Sequence, residues 1–204
     1  MSPPPQRRIG LTGGIASGKS TVGRLLAARG LPLLDADGYA RDALAPGSPG
    51  AQAVLARYGT LDRAALGRLV FADAGERRWL EQLVHPLVRA RFAAELERLA
   101  AAPVVVLMIP LLFEAGLAGL CSEVWLVDCD EAQQLQRLMA RNGLSAAEAR
   151  ARIAAQWPLA RKRTLADVVL DNRGTAEQLE GQLERAMLGP GPPIGGYGVI
   201  TSQP

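Results

Sequence analysis

A glycine-rich stretch near the start of the chain offers the clearest chemistry. The segment GGIASGKS, residues 13–20, satisfies the spacing G-x-x-x-x-G-K-[ST]. Glycines at this spacing let successive backbone N–H groups point inward as a nest for an anion, and a following helix adds its positive dipole end. Lys19 would reach the β- and γ-phosphates of a nucleotide, and the Ser20 hydroxyl would complete the shell of a Mg²⁺ ion. The segment predicts a phosphate-binding loop.

Two carboxylates follow the loop along the chain. The segment LLDADG, residues 33–38, places Asp35 and Asp37 just past a predicted strand, at the sheet edge where open α/β folds bind ligands. They could position an acceptor hydroxyl, accept its proton, or hold metal through water. Alternatively, Asp37 only caps the next helix and Asp35 only ends the strand. DADG also fits the D-x-x-G of GTP switches, but the chain contains no N-K-x-D guanine signature.

A group of basic residues borders a predicted lid. Arg137 and Arg141 lie four residues apart at the end of a predicted helix, and Arg161, Lys162 and Arg163 close the same helical segment. A basic lid over a transferred phosphate would neutralise developing charge and exclude water, as a kinase requires. For any single arginine a solvated surface position is an equal alternative, but the group favours a lid.

Two further features bear on metal and acceptor binding. The third predicted strand ends in MIPLLFE, without an aspartate at the usual metal-binding place, so metal binding rests on Ser20, phosphates and water, with Asp35 as a candidate helper. The only histidine, His85, precedes Pro86 in a helical segment. Phosphoryl transfer to a hydroxyl needs no histidine nucleophile, so we expect a substrate-side or structural role for His85.

The elements that position these residues alternate between strands and helices along the chain, as in βα units. Continuous apolar runs bounded by Gly, Pro, Asp or Asn indicate buried parallel strands. They predict an α/β fold of three layers around a five-stranded parallel sheet, in the manner of P-loop NTPases. The predicted strands are Arg8–Thr12, Leu31–Asp35, Val104–Ile109, Glu123–Asp128 and Val168–Leu170.

Helical segments divide the predicted domain organisation. A core of residues 7–37, 103–140 and 164–188 is interrupted by a helical insertion at 38–102, with a break between helices at 46–50, and by a helical lid at 141–163. The patterns SAAE at 145–148 and TAEQ at 175–178 are capping boxes that start new helices. The Gly/Pro-rich tail, residues 189–204, is predicted to be disordered.

Composition narrows the class of protein. The chain has 204 residues, 49% of them hydrophobic, with a net charge of +3, which suits small anionic ligands rather than nucleic acid. Its longest apolar run, residues 104–113, is too short to span a bilayer, and the leader lacks a signal-type apolar region. Cys121 and Cys129 are expected to be reduced core thiols. We expect a cytoplasmic protein with no membrane partner, monomeric or weakly homo-oligomeric.

Six motifs, taken in order, resemble one family. The motifs are GLTGGIASGKST (10–21), DAD (35–37), LVHP (83–86), PLLFE (110–114), RNGLS (141–145) and ADVVLDN (166–172). Together they resemble dephospho-CoA kinases, enzymes with a nucleoside-monophosphate-kinase-like P-loop fold, and the resemblance spans residues 9–174.

The resemblance implies an activity and a set of roles. It implies ATP-dependent, Mg²⁺-assisted phosphorylation of the ribose 3′-hydroxyl of dephospho-CoA, the last step of CoA synthesis, with the 38–102 insertion binding CoA. Asp37 would orient or deprotonate the hydroxyl, and Lys19 and Arg141 would contact phosphate. ATP would bind at Gly13, Gly14, Ile15, Ala16, Ser17, Gly18, Lys19, Ser20, Thr21 and Asn172. Thr12 would lie near the transferred group, with His85, Leu111, Phe113 and Glu114 on the acceptor side.

One residue departs from the family pattern. Ala16 stands where the family usually has glycine, and its methyl should be tolerated if its φ is negative. The residues by themselves indicate only a small-molecule P-loop kinase with a helical acceptor domain and a lid. A nucleoside, nucleotide or shikimate-type kinase therefore remains an alternative, as does a nucleotide-binding regulatory switch.

Overall fold

A five-stranded sheet organises the computed structural model, which describes residues 5–189 and, for Phe71, the backbone alone. The strands follow the order β2-β3-β1-β4-β5, so β1 is central, and β1 pairs in parallel with both β3 and β4. The strands are β1 (Arg7–Gly13), β2 (Leu33–Asp35), β3 (Val104–Met108), β4 (Glu123–Asp128) and β5 (Val168–Asp171).

Helices connect the strands. Over the described residues they are α1 (Lys19–Ala28), α2 (Ala36–Ala43), α3 (Pro49–Tyr58), α4 (Arg63–Ala72), α5 (Ala74–Arg98), α6 (Glu131–Asn142), α7 (Ala146–Ala154), α8 (Leu159–Arg163) and α9 (Ala176–Leu188). A short 3-10 helix covers Ala118–Leu120. None of the helices within residues 5–189 combines the length and apolar character that crossing a membrane requires.

The chain divides into two compact units. The first consists of Met1–Leu34 and Ala100–Pro204, and the second of Asp35–Leu99. The core of the first unit lies between the sheet and the helices α1 and α9. Its fully shielded members include Ile9, Leu26, Trp125 and Leu183. Aliphatic side chains supply most of this core, as the low aromatic content of the chain requires.

The second unit is built on the long helix α5. Val84, Val88, Phe92 and Leu96 recur every fourth residue along it and are buried, which gives the helix one apolar stripe. Tyr39 of α2 meets Phe92 edge to face, with ring centroids 5.1 Å apart. That this unit binds CoA, with the predicted bounds 38–102, stays a prediction.

The five predicted strands and the parallel sheet are confirmed, with small shifts of bounds. The second strand begins at Leu33 rather than Leu31, because Leu31 N–H closes the end of α1 on Leu26 O at 3.3 Å. Both predicted capping boxes are present, at Ser145 with Glu148 and at Thr175 with Gln178. The predicted tail lies outside the described residues beyond Gly189.

Candidate active site

The glycine-rich segment forms a loop between β1 and α1, as predicted. β1 ends at Gly13 and α1 begins at Lys19. Gly18 caps the helix with a φ of 106°, a left-handed conformation that favours glycine. A Cβ at Gly18 would collide with the side-chain amide of Asn172, so this position requires glycine on two grounds.

Ala16 differs from the expectation of a negative φ. Its φ is 58°, which makes it the one non-glycine residue with a positive φ between residues 5 and 189. An L-residue in this conformation brings its Cβ close to the following carbonyl, at a cost of about 1–2 kcal/mol. The loop turns at Ala16 in a left-handed conformation, which glycine would adopt without this steric cost.

The polar side chains of the loop occupy distinct environments. Lys19 Nζ donates to the carbonyl oxygens of Gly13 at 3.0 Å and Gly14 at 2.9 Å, so it bends back over the loop. Ser20 is exposed at the start of α1. Ser17 Oγ is buried, and no hydrogen-bond partner for it lies within the described residues. The positive end of α1 thus faces the loop with a lysine and hydroxyls, a set suited to phosphate.

The end of β5 supports the loop from one side. Asn172 follows β5 directly, and its Nδ2 donates to Ser17 O at 2.7 Å. Arg137 of α6 donates through Nη2 to Asn172 O at 3.1 Å, and its Nη1 is buried without a hydrogen-bond partner among residues 5–189. Arg137 is therefore held beside the residue predicted to lie near adenine.

Beneath the loop, a buried polar group joins β1 to the segment after β3. Thr12 is fully buried, and its hydroxyl donates to Pro110 O at 3.1 Å. Lys162 is also fully buried, with Nζ 3.3 Å from Pro110 O and 2.7 Å from Glu114 Oε1. Lys162 is thus no lid cation, contrary to the prediction, because Glu114 provides the partner that its burial requires.

The other predicted lid cations have different surroundings. Arg161 stacks over the ring of Trp157, 3.4 Å from its centroid, and Arg163 donates to Asp128 Oδ2 at 2.6 Å. Arg141 is exposed near the end of α6, where Nε donates to Asn142 Oδ1 at 2.9 Å. Arg161 and Arg163 are exposed too, but their guanidinium groups contact Trp157 and Asp128, whereas that of Arg141 contacts the neutral side chain of Asn142.

A network of charges surrounds the ends of β4 and β5. Asp128 is 1% exposed and accepts from Arg173 at 2.7 Å as well as from Arg163. Arg173 also pairs with Asp130 at 2.7 Å and Asp171 at 3.1 Å, and these carboxylates, Asp130 foremost, raise its pKa. Asp128 lies at the carboxyl end of its strand, as Asp35 does, so the sequence could have indicated its position. The sequence carried no signal for its arginine partners.

The predicted carboxylates lie where α2 begins in the second unit. Asp35 ends β2 and caps α2, with Oδ1 accepting from Asp37 N at 3.1 Å. The residue that caps the helix is therefore Asp35, whereas the alternative considered above assigned the cap to Asp37. Asp37 is exposed on the first turn of α2. His85 is exposed on α5.

The predicted acceptor-side residues of the first unit follow β3. Leu111 is 41% exposed, and Phe113 is buried at 9%. Glu114 Oε1 accepts from Trp157 N at 3.0 Å in addition to Lys162, and Oε2 is buried without a hydrogen-bond partner in the described part of the chain. Glu114 is therefore largely committed to contacts within the protein.

The metal-ligating side chains and the two cysteines limit the metal and thiol chemistry available to the protein. In residues 5–189 no three His, Cys, Asp or Glu side chains cluster in a way that could hold a metal ion. The donor set at the loop, one exposed hydroxyl beside a phosphate nest, fits Mg²⁺, which keeps several waters and binds through few protein ligands. Cys121 and Cys129 are buried free thiols, as predicted, and burial raises the pKa of Cys121 to about 12.

Two glutamines that the sequence analysis did not single out bind the loop directly. Gln134 Nε2 donates to Ile15 O at 2.8 Å, and Gln156 Oε1 accepts from Ile15 N at 2.8 Å. Neither glutamine belongs to a recognised motif, so sequence spacing carries no signal for them.

The fold and the loop together define a P-loop nucleotide-binding protein. A central parallel strand enters a glycine-rich loop, and the loop enters a helix whose first residues are Lys19 and Ser20.

Comparisons with known proteins place the chain within this class. Residues 7–178 match the family described as dephospho-CoA kinase. A dephospho-CoA kinase of Synechococcus sp. (strain CC9605) is 66% identical over 178 residues, 83% of this chain and 86% of the relative. The chain belongs to the dephospho-CoA kinase family.

Two solved structures resemble this one. TT1252 from Thermus thermophilus is 43% identical, with a TM-score of 0.80 over 90% of this chain and 97% of that one. Dephospho-CoA kinase from Campylobacter jejuni has a TM-score of 0.66 at 24% identity, over 88% of this chain and 94% of the other, and supports the fold.

Proposed function

We propose that this protein transfers the γ-phosphoryl group of ATP to the ribose 3′-hydroxyl of dephospho-CoA, giving CoA and ADP. The observation that carries the proposal is membership of the dephospho-CoA kinase family over residues 7–178. In the reaction, the 3′-oxygen forms a bond to the γ-phosphorus while the bond from that phosphorus to the bridging oxygen of ADP breaks. The proton of the 3′-hydroxyl leaves to a base.

The loop supplies the phosphate-binding part of the mechanism. Backbone N–H groups around Gly18 and the N-terminus of α1 would hold the phosphates of ATP. Lys19, which now bonds to the Gly13 and Gly14 carbonyl oxygens, would exchange these for β- and γ-phosphate oxygens. Because phosphoryl transfer depends mainly on positioning and electrostatic stabilisation, this exchange supports the transition state.

Mg²⁺ would be held at Ser20. Its exposed hydroxyl at the start of α1 is a hard oxygen donor, and phosphate oxygens and water would provide the other ligands. The ion would supply positive charge that offsets the negative charge of the phosphates. Because Asp35 already caps α2, we assign the protein ligand to Ser20 alone.

Asp37 is our candidate for the base that orients the 3′-hydroxyl and accepts its proton. It is an exposed carboxylate in the first turn of α2, directly after the strand that ends at Asp35. Carboxylates serve this role in kinases, where they align the acceptor more than they drive ionisation. We assign Arg141 to phosphate contact during lid closure because its guanidinium is exposed and contacts the neutral side chain of Asn142 rather than a carboxylate.

The remaining roles concern binding of the two substrates. We propose that Asn172 borders the adenine of ATP, since it lies against Ser17 of the loop. Leu111 would offer apolar surface to the acceptor. Phe113 and His85 are each proposed to contact the acceptor as well. Thr12 and Glu114 would shape the site from within, because both are bonded to neighbouring protein groups.

The decisive experiment measures ADP release from Mg·ATP by the purified protein. Dephospho-CoA, AMP, adenosine and shikimate are compared with no acceptor, and Lys19→Ala serves as the matched inactive control. We expect release only with dephospho-CoA, and ³¹P NMR should locate the new phosphate on the 3′-oxygen. Release with another acceptor would assign a different kinase activity, and acceptor-independent hydrolysis would favour a regulatory switch.

We further propose a cytoplasmic enzyme that is monomeric or weakly homo-oligomeric. The proposed reaction draws on cytoplasmic ATP, and both substrates are small molecules. Light scattering across protein concentrations measures the mass directly, and a stable tetramer or larger assembly would contradict this assignment.

A further inference from the structure

Ile15, at the tip of the phosphate-binding loop, has both backbone polar groups bound by glutamine side chains. Its N–H donates to Gln156 Oε1, and its C=O accepts from Gln134 Nε2, each at 2.8 Å. These bonds determine the orientation of each glutamine side-chain amide. The N–H of Ile15 needs an acceptor, the Gln156 amide oxygen, and its C=O needs a donor, the Gln134 amide nitrogen. Both backbone polar groups of Ile15 are therefore already bonded within the protein.

The two glutamines come from different elements of the helical region after β4. Gln134 lies in the first turn of α6 and is 4% exposed. Gln156 lies between α7 and α8, and the next residue, Trp157, is bonded through its N–H to Glu114 at 3.0 Å. Both glutamines are therefore anchored by structure outside the loop.

The glutamine clamp, formed by Gln134 and Gln156 on Ile15, sits next to the strained residue of the loop. Ala16, at φ 58°, follows Ile15 directly, so fixing the peptide groups of Ile15 limits the alternatives open to Ala16. A Cβ at Gly14 would collide with Gln134 Nε2, which shows how closely that amide approaches the loop.

We propose that Gln134 and Gln156 are positioning residues that hold the phosphate-binding loop in its ligand-ready conformation and connect α6 and the segment between α7 and α8 to it. They act through Ile15 and Ala16, not by contact with substrate. This inference concerns the nucleotide site of the proposed kinase. It depends on the proposed function only in assuming that the loop binds a nucleotide.

The test uses one chemical change at two positions. Gln134→Glu and Gln156→Glu each replace an amide nitrogen by oxygen and add one negative charge near the loop. Only Gln134 uses that nitrogen in its bond to Ile15, whereas the oxygen that Gln156 uses is retained. We therefore expect affinity for Mg·ADP, measured by calorimetry on the full chain, to fall about tenfold or more for Gln134→Glu and less than about threefold for Gln156→Glu.

A second variant at the less buried end of the glutamine clamp guards against misfolding of Gln134→Glu. Gln156→Leu removes the acceptor and should weaken Mg·ADP binding by about tenfold, so that Gln156→Glu acts as the conservative rescue. Equal losses in the two glutamate variants would assign the effect to charge and overturn the proposal. Unchanged binding in Gln156→Leu would overturn it as well.

The link to Ala16 has its own readout. Ala16→Gly, introduced into Gln156→Leu, should recover at least about threefold of the lost affinity, because glycine tolerates the positive φ without support. Strictly additive effects would overturn the role of the glutamine clamp in holding Ala16. Since Mg·ADP binding needs no acceptor, failure of the protein to use dephospho-CoA leaves this test intact.

Discussion

Lys162 and Glu114 form an ion pair in the interior of the first unit, with Nζ 2.7 Å from Oε1. The lysine side chain is completely shielded, and the glutamate side chain is 15% exposed. Glu114 also accepts from Trp157 N, so the pair connects α8 and the segment before it to the loop that follows β3. Removing one partner leaves a buried charge without compensation.

Lys162→Met should lower the free energy of unfolding by about 3 kcal/mol or more, since the Glu114 charge would be left buried and unpaired. Urea denaturation monitored by circular dichroism measures the change. The double variant Lys162→Met/Glu114→Gln keeps an oxygen for Trp157 N and carries no buried charge, so it should be more stable than the single variant. A single variant within about 1 kcal/mol of wild type would mean that the pair is not structurally important.

Lys19→Ala should reduce kcat by about two to three orders of magnitude, because it removes a preorganised positive charge from the phosphates. Its melting temperature should stay near that of wild type, since the two carbonyl groups to which Nζ donates belong to the same short loop as the lysine. Steady-state ADP release and thermal melts provide both values. A kcat within about tenfold of wild type would assign phosphate stabilisation to other groups.

Asp37→Asn should retain affinity for ATP while kcat falls by about two orders of magnitude or more, because an amide cannot accept the proton of the acceptor hydroxyl. Glu97→Gln is the matched control: it makes the same carboxylate-to-amide change at an exposed position on α5. Acceptor-dependent ADP release distinguishes the two variants. Near-normal turnover in Asp37→Asn would remove Asp37 from catalysis.

Gly18→Ala should disrupt the loop more than its backbone strain alone predicts. The added Cβ would displace Asn172, whose Nδ2 bonds to Ser17 O at 2.7 Å. Gly30→Ala is the control, because Gly30 also has a positive φ, 82°, but a Cβ added there would meet no heavy atom within 4 Å. We expect Gly30→Ala to cost about 1–2 kcal/mol of stability and Gly18→Ala to cost more and also weaken Mg·ATP binding about tenfold. Equal stability losses with normal binding would contradict the role of Asn172.

The ionisation of Glu76 should make the stability of the folded protein depend on pH at acidic pH. Hydrogen bonds from Arg57 first and then Tyr58 lower the pKa of Glu76 from 4.5 to about 2. Because the folded-state pKa is depressed, the stabilisation is complete above the unfolded-state value and is lost as pH falls from about 4.5 toward 2. The difference in melting temperature between wild type and Glu76→Gln should therefore shrink as pH falls through this window. A constant difference between about pH 6 and pH 3 would contradict the assignment.

Much of the fold could be predicted because it depends on local sequence. Apolar runs, of five or six residues in four cases and of three in the fifth, identified the buried strands. The side-chain pattern of Ser145 with Glu148 identified the start of α7. The loop was equally predictable, since its glycines, lysine and serine act through spacing along the chain. Asp35 was the less certain case, because an aspartate after a strand fits both a cap and a ligand.

The amino-acid sequence by itself determined the order of strands and helices along the chain, the phosphate-binding loop with Lys19, and the family. Only the tertiary structure decided that Lys162 is buried against Glu114 rather than exposed on a lid, that Ala16 has a positive φ, and that Gln134 and Gln156 bind Ile15. The ion pair and the glutamine bonds join residues that are far apart in the chain. Their energies depend on burial and on partners that no local pattern specifies.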